Sequence, residues 1–169
     1  MVYLPANGMK LMMIIHIIAA QIWFGAVMCI FGFAFYCFNN TGIEKFMVLA
    51  PMIPGLYKMV VLPAALVCII QGIIYGIFSK WGFKKFKWVL AKWIMAIFVV
   101  LFTGMGGIGQ MFMILENIQK NNIQNITLKD GKMFFIFMAG QIILLCIMTI
   151  ISIIKPKNKK EKIEKHTIV

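Results

Sequence analysis

The sequence predicts an all-α integral membrane protein, built as a four-helix bundle of transmembrane helices. Apolar residues make up 62% of the chain and charged residues only 13%, whereas a soluble domain is about half apolar and a quarter charged. The apolar residues also fall into four runs of about 20 residues or more, enough to cross a hydrocarbon core of roughly 30 Å as helices. These runs lack the strict alternation of barrel strands, and a helix satisfies its own backbone in lipid.

Each apolar run marks one span. The first run is too long for a signal peptide and no small-x-small cleavage site ends it, so we expect it to stay in the protein. Between the first two spans, Pro51 and Pro54 predict a helix stop and a short segment lying on the membrane surface. The expected spans cover residues 11–38, 59–79, 88–115 and 133–154, which form one domain, 1–154, followed by a lysine-rich tail, 155–169.

The positive charges predict the orientation of the chain. All 17 basic residues are lysines, and most of them flank the spans on the side that holds both termini and the second loop. Lysine-rich segments face the cytoplasm, so we expect a multi-pass protein of the cell membrane with both termini inside. The net charge of +12 needs no nucleic-acid partner, because these lysines set topology and attract anionic lipid headgroups of the bilayer. Whether the protein works alone, as a homodimer or beside a larger complex stays open.

The third run contains the stretch LFTGMGGIGQMF, in which Gly104, Gly106 and Gly109 have the G-x-G-x-x-G spacing of dinucleotide-binding loops. Such a loop must follow a strand and open a helix in a βαβ unit, and an apolar span offers neither. We therefore expect these glycines, with Gly107, to allow close helix packing and to loosen or bend the third span.

Two ionisable residues lie inside the spans, where a charge is costly unless it is partnered. His16 lies roughly 8 Å into the first span and Lys92 roughly 6 Å into the third, counted from the same side. The second span adds Gln71 and Tyr75, which share one helix face. Near the same end, the fourth span adds Thr149 and Ser152. If the helices bundle, these groups converge on one candidate site.

Several interpretations of these residues stay open. His16 is either a helix–helix hydrogen-bonding group, a proton carrier, or a ligand to haem iron or copper. Lys92 either joins the site or extends to the headgroups. Because the predicted spans contain a single histidine, a haem bound there would need a methionine, a lysine, an open position or a second subunit for its other ligand. Met111 and Met113 are soft ligands that suit copper.

Other chemistry is excluded by what the spans lack. The four cysteines have no zinc-type spacing, so buried thiols are expected. No nucleophile–base pair or carboxylate pair is present to run hydrolysis. All five acidic residues lie outside the apolar runs, which argues against a carrier that moves protons on a membrane carboxylate.

Two stretches carry a family resemblance. The first is LMMIIHIIAAQIWFGAVMCIFGFAFY, and the second is VLPAALVCIIQGIIYGIF followed by FKWVLAKWIMAIFV. Together they resemble the small bacterial membrane proteins of the HemJ-type protoporphyrinogen oxidase and CopD-like copper-resistance group. The resemblance covers roughly residues 10 to 105. It implies a four-helix membrane fold, with His16 and Lys92 in positions that the family associates with haem and porphyrin oxidation.

Two functions are therefore expected as competing hypotheses. In the first, the protein binds haem, a porphyrin or a quinone-like ligand in a redox role, at a site formed by His16, Lys92, Gln71 and Tyr75, with His16 as the metal ligand. In the second, it is a non-enzymatic membrane helper or small transporter, for example for copper, and His16 only ties helices together.

Overall fold

A computed structural model describes residues 6–78, 87–121 and 127–154, and these are helical apart from short turns. We label the α-helices α1 to α7 and the two π-helical segments π1 and π2. In chain order they are α1 (Ala6–Asn40), α2 (Ile43–Leu49), α3 (Met52–Leu56), π1 (Tyr57–Val61), α4 (Leu62–Phe78), α5 (Lys87–Leu101), π2 (Phe102–Gly109), α6 (Gln110–Asn121) and α7 (Lys132–Ile154).

Four helical stretches are long and apolar enough to cross a membrane. They are Asn7–Asn39, Ile43–Phe78, Trp88–Asn121 and Lys132–Ile154. The predicted all-helical class with four apolar membrane-length helices is thus confirmed for the described residues. The predicted lysine-rich second loop and the tail 155–169 lie outside them, apart from Lys87 at the start of α5.

The segment before the second span differs from the prediction at one proline. Helix α2 ends at Leu49, and Pro51 takes the position before α3, where a helix stop was expected. Pro54, however, lies in the first turn of α3, and the helix continues through it to Phe78. The N–H groups of a first turn have no partner within the helix, so a proline there removes no hydrogen bond. The prediction that Pro54 stops a helix is therefore wrong.

The glycine-rich part of the third span, Phe102–Gly109, is π-helical. This departure from α-helical geometry agrees with the predicted loosening. Two of its glycines are also sites of close packing. A Cβ added to Gly106 would lie 2.2 Å from Cβ of Phe137, and one added to Gly107 would lie 2.7 Å from the Tyr57 ring. Gly104 differs, since a Cβ there would meet no described atom within 4 Å. Gly106 and Gly107 thus let α7 and π1 come close to the third span, which is the close helix packing that was expected.

One face of α1 forms much of the buried core. Its buried residues recur every three or four positions, as one helix face requires: Ala19, Trp23, Val27, Ile30, Ala34, Cys37 and Phe38. Helix α1 packs against α4, π1 and α7, and α7 packs against α5 and π2. Within the described ranges, the backbones of α4 and α5 approach each other closely at few positions. The Trp93 ring of α5 lies in the space between them, 3.5 Å from the position of a Cβ on Gly72 of α4.

Candidate functional site

The register between α1 and α4 is set by hydrogen bonds from α4 side chains to α1 backbone carbonyls. They are Tyr75 Oη to Met9 O at 3.0 Å, Gln71 Nε2 to Met12 O at 3.3 Å and Cys68 Sγ to His16 O at 3.9 Å. From one of these bonds to the next, the donor comes earlier in α4 and the acceptor comes later in α1. The two helices are therefore antiparallel, and Cys68 lies at the level of His16.

The register of the other helices follows from three more polar contacts. Lys92 Nζ donates to Ser152 Oγ, Gln141 Nε2 donates to Thr103 Oγ1 at 2.8 Å, and Tyr57 Oη donates to Gln141 Oε1 at 3.2 Å. Cys68 follows Tyr57 by the same number of residues as Ser152 follows Gln141. Lys92 precedes Thr103 by that number too, because the third span runs in the opposite direction. His16, Cys68, Lys92 and Ser152 consequently share one level, which we call, together with Gln71, the histidine layer.

His16 faces the interior, on the same stripe of α1 as Ala19 and Trp23. Its Nδ1 is buried and has no hydrogen-bond partner among the described residues. The Gln71 side chain is its polar neighbour, and Lys92 is close enough to interact with it electrostatically. Gln71 itself is 7% exposed, and its Oε1 is likewise buried with no partner in the described part of the chain. His16 Nδ1 and Gln71 Oε1 thus make no well-formed hydrogen bond within the described residues, although the two side chains are close enough to interact with each other.

Lys92 joins the layer from α5. Besides its bond to Ser152, its ammonium group lies 5.1 Å from the centroid of the Trp88 ring, within the range of a cation–π contact. The side chain is half-buried. It is held by groups of α5 and α7.

The remaining predicted groups are placed differently. Tyr75 is bonded to the carbonyl of Met9, seven residues before His16, so it lies about two helical turns outside the layer. Thr149 is exposed and donates to the Leu145 carbonyl of its own helix at 2.9 Å. The structure thus brings His16, Gln71, Lys92 and Ser152 to one level, with Tyr75 and Thr149 outside it.

An apolar layer follows deeper in the protein. The same register places Trp23 at the level of Val61, Val99 and Leu145, all of which are buried. Trp23 is 4% exposed, and its Nε1 has no hydrogen-bond partner within residues 6–78, 87–121 and 127–154. The indole N–H is an obligate donor, which leaves an unused donor beneath the histidine layer.

A second polar layer, made by Tyr57, Gln141 and Thr103, was not predicted from the sequence. Tyr57 and Gln141 are fully buried, and Thr103 Oγ1 donates a hydrogen bond to the Val99 carbonyl at 2.9 Å. We call this group the tyrosine layer. Its signal in the sequence was Gln141, the one amide in α7, although the sequence does not say which residues on other helices face it.

The two polar layers differ in how completely they are bonded. In the tyrosine layer the phenol, the amide and the hydroxyl all have partners. In the histidine layer and below it, His16 Nδ1, Gln71 Oε1 and Trp23 Nε1 do not, within the described residues. Buried polar groups are normally satisfied, and exceptions call for an explanation such as a ligand or water. The tyrosine layer therefore joins helices, and the histidine layer is the candidate binding site.

The metal-ligating residues are spread apart. The described residues contain no group of three or more His, Cys, Asp or Glu side chains that could share a metal ion. His16 is the one histidine among the described residues, so its imidazole is the single nitrogen ligand of this kind that they offer. Met111 is buried whereas Met113 is exposed, so they present their sulfurs on different sides of α6.

The cysteines are only partly as expected. Cys37 and Cys68 are buried thiols, and Cys146 is half-buried. Cys29, for which burial was predicted, is exposed on the outward face of α1. That prediction was wrong because a thiol in an apolar span is apolar enough to face lipid as well as the core.

No family model matches this chain, and neither a curated protein nor a solved structure matches it.

Proposed function

We propose that this is a four-helix-bundle protein of the cell membrane that binds a flat, amphiphilic ligand of the porphyrin or quinone class in its histidine layer. The observation that carries the proposal is the pair of buried atoms His16 Nδ1 and Gln71 Oε1, which make no well-formed hydrogen bond to any residue that the structure describes. An unmade hydrogen bond on a buried polar group costs about 1–3 kcal/mol. A ligand with a polar edge would remove that cost at both atoms.

The shape of the surroundings suits a flat molecule. In the described residues the backbones of α4 and α5 approach each other closely at few positions. The Trp93 ring lies between them, 3.5 Å from the position of a Cβ on Gly72, so a flat ring entering here from the lipid would meet this indole. Small residues, Ala19 and Ala20 on α1 and Ala96 on α5, follow His16 and Lys92 by about one helical turn, and side chains of this size obstruct a flat ligand least.

The polar groups have complementary roles toward such a ligand. If it is a haem, His16 would hold the iron, and the Lys92 ammonium is the group that would take a carboxylate of the porphyrin edge. If it is a quinone, His16 would donate to a ring carbonyl. A bound haem or quinone would supply one-electron chemistry, while the protein residues bind and orient it.

The membrane placement supports the same site. With both termini in the cytoplasm, as the lysine distribution predicts, the histidine layer lies in the inner half of the bilayer. There the nearby lysines would attract anionic groups of a ligand as well as lipid headgroups. A redox ligand at this depth is within reach of cytoplasmic donors and membrane carriers.

A second candidate function rests on the bonds that Gln71 and Tyr75 do make. Both donate to backbone carbonyls of α1, which is what residues that only hold two helices together would do. In that case His16 pairs with Gln71 after a small side-chain rotation, and the protein is a non-enzymatic membrane helper or small transporter, for example for copper.

One experiment separates the two functions. The protein is purified in a mild detergent, its visible spectrum is recorded, its metal content is measured, and organic extracts are analysed by mass spectrometry. We expect a Soret band or an extractable quinone that is lost in His16→Ala and strongly reduced in Gln71→Leu. The matched controls are Ile17→Ala and Gln21→Leu, because both residues are exposed on the outward side of α1.

The opposite outcome is equally clear. A colourless, metal-free protein without extractable ligand, whose stability nevertheless falls in His16→Ala, would contradict ligand binding and favour the packing role. If the detergent removes the ligand during purification, hemin or a short-chain quinone is titrated into the preparation to test for binding. Binding should quench the fluorescence of Trp23 and Trp93, and His16→Ala should reduce the quenching.

A further inference from the structure

A glutamine faces outward from the middle of α1. Gln21 lies close to the midpoint of Ala6–Asn40, on the side opposite the buried stripe, and it is exposed. Its amide makes no hydrogen bond to any described residue outside its own helix or within it. The register places it close to the level of the apolar layer, far from either end of the span. In the membrane placement proposed above, this amide would point into hydrocarbon.

An amide in that position needs a partner. Lipid tails offer neither donors nor acceptors, and a side chain at mid-span is too deep to reach the headgroups. Glutamine can supply its own partner, because its amide contains both a donor and an acceptor. Two copies of Gln21 facing each other would satisfy both amides through reciprocal hydrogen bonds, which is how polar residues join transmembrane helices.

The surface around Gln21 allows close approach. Gly25 is one turn further along the same face and Gly32 two turns beyond that, and a Cβ added to either would meet no described atom within 4 Å. Both are therefore open to the outside and contribute nothing to packing within the described chain. This is the reverse of Gly106 and Gly107, whose missing side chains are filled by Phe137 and Tyr57.

We propose that a second copy of this chain packs against the Gln21 face of α1, giving a parallel homodimer with the Gln21 amides hydrogen-bonded across a two-fold axis. Copies inserted in the same orientation present identical faces, so the contact must be self-complementary, and this amide satisfies that requirement. The face also carries no charged side chain between Leu11 and Asn39 that would repel its own copy. The ligand site lies on the opposite side of α1 and stays separate.

Cys29 makes the interface testable with a native residue. This exposed thiol lies one turn from Gly25 on the outward side of α1, while Cys37 and Cys68 are buried. Disulfide formation requires Cα atoms about 4.4–6.8 Å apart, a separation that a close glycine-lined helix contact provides. Native membranes are treated with iodine, and the products are separated on non-reducing gels.

We expect a cross-linked species at twice the mass of the chain, absent in Cys29→Ser. Gln21→Leu and Gly25→Leu should reduce its yield about threefold to tenfold, the range expected for one interhelical hydrogen bond. Gly104→Leu is the matched control, because Gly104 is also an open glycine on an outward surface, and it should leave the yield unchanged.

Three results would overturn the homodimer. They are a protein that stays monomeric throughout, a cross-link that Gln21→Leu and Gly25→Leu do not weaken, and a Cys29 product whose mass shows a different partner protein. A monomer that still binds hemin or quinone would leave the proposed function intact. A chain that a carbonate wash removes from the membrane would contradict both proposals.

Discussion

The Tyr57 hydroxyl donates a hydrogen bond to Oε1 of Gln141, 3.2 Å away, and both side chains are fully buried. Nε2 of Gln141 in turn donates a hydrogen bond to Thr103 Oγ1 at 2.8 Å. Residues from the second, third and fourth long helices are thereby joined at one level. Each of the two π-helical segments contributes one of the three residues, Tyr57 from π1 and Thr103 from π2. The irregular parts of these helices are therefore tied to each other through the middle of α7.

Tyr57→Phe tests the strength of this connection. The variant keeps the ring against Gly107 but leaves Oε1 of Gln141 without its donor. We expect the free energy of unfolding to fall by about 0.6–2 kcal/mol, the range for interhelical hydrogen bonds in membrane proteins. The measurement is an SDS titration of helicity in mixed micelles. Tyr36→Phe, at an exposed tyrosine, should change nothing, and equal effects at both positions would contradict the role of the tyrosine layer.

Gly106→Ala and Gly104→Ala test the close packing of the third span. At Gly106 the new methyl group would lie 2.2 Å from Cβ of Phe137, so the helices must separate, at a cost of about 1–3 kcal/mol for overpacking. At Gly104 the methyl group is free, and replacing a helical glycine should be neutral or slightly stabilising. The same SDS titration measures both. Similar stability for the two variants would show that π2 and α7 are not in contact.

Gln71→Leu should impair only ligand binding, and Gln21→Leu should impair only association of the two copies. Gln71 is buried beside His16, whereas Gln21 faces outward from the same helix pair. We expect Gln71→Leu to weaken hemin or quinone binding about tenfold, as loss of a hydrogen bond to a ligand would, and to leave the Cys29 cross-link unchanged. Gln21→Leu should weaken the cross-link and leave binding unchanged. If one variant impaired both measurements, the two surfaces would not be independent.

The orientation can be measured by labelling introduced cysteines. In a Cys29→Ser background, Lys10→Cys and Asn121→Cys place thiols at opposite ends of the long helices. The excess of lysines near the termini predicts that a membrane-impermeant maleimide labels position 121 in intact cells, and position 10 only after permeabilisation. Labelling of both from the same side would contradict the four-span topology, and the reverse pattern would place the termini outside.

The sequence was sufficient for the helices because hydrophobic length determines them. Runs of about 20 apolar residues fix where a helix can cross a membrane, whatever its neighbours are. The exception was Pro54, where the position within the helix, and not the residue type, decided the outcome. A first-turn proline is tolerated, and the sequence did not show where the first turn would fall.

The candidate site was predictable in part. His16 and Lys92 stand out because ionisable groups are rare in apolar spans, and counting residues from the span ends placed them at similar depth. The tyrosine layer escaped because Tyr57, Thr103 and Gln141 are each unremarkable alone. Their meaning comes from interhelical register, which depends on side-chain fit between distant segments. Cys29 and Gln21 were uninformative for the same reason, since only rotation of α1 about its axis distinguishes outward from inward residues.

The π2 segment makes the third span tolerant of a one-residue deletion at one place. Its hydrogen bonds close over five residues instead of four, so each bonded turn holds one extra residue. Deleting a single codon between Phe102 and Gly109 would let an ordinary α-helix form there without breaking the span. Because the segment already holds one extra residue, the deletion would leave the residues after it, such as Met111, Ile114 and Ile118 of α6, facing the core. The same deletion in the regular helix α5 would rotate everything beyond it by about 100°. A one-residue deletion should therefore be better tolerated in π2 than in α5, and a deletion scan of the third span would show π2 as a local maximum of stability.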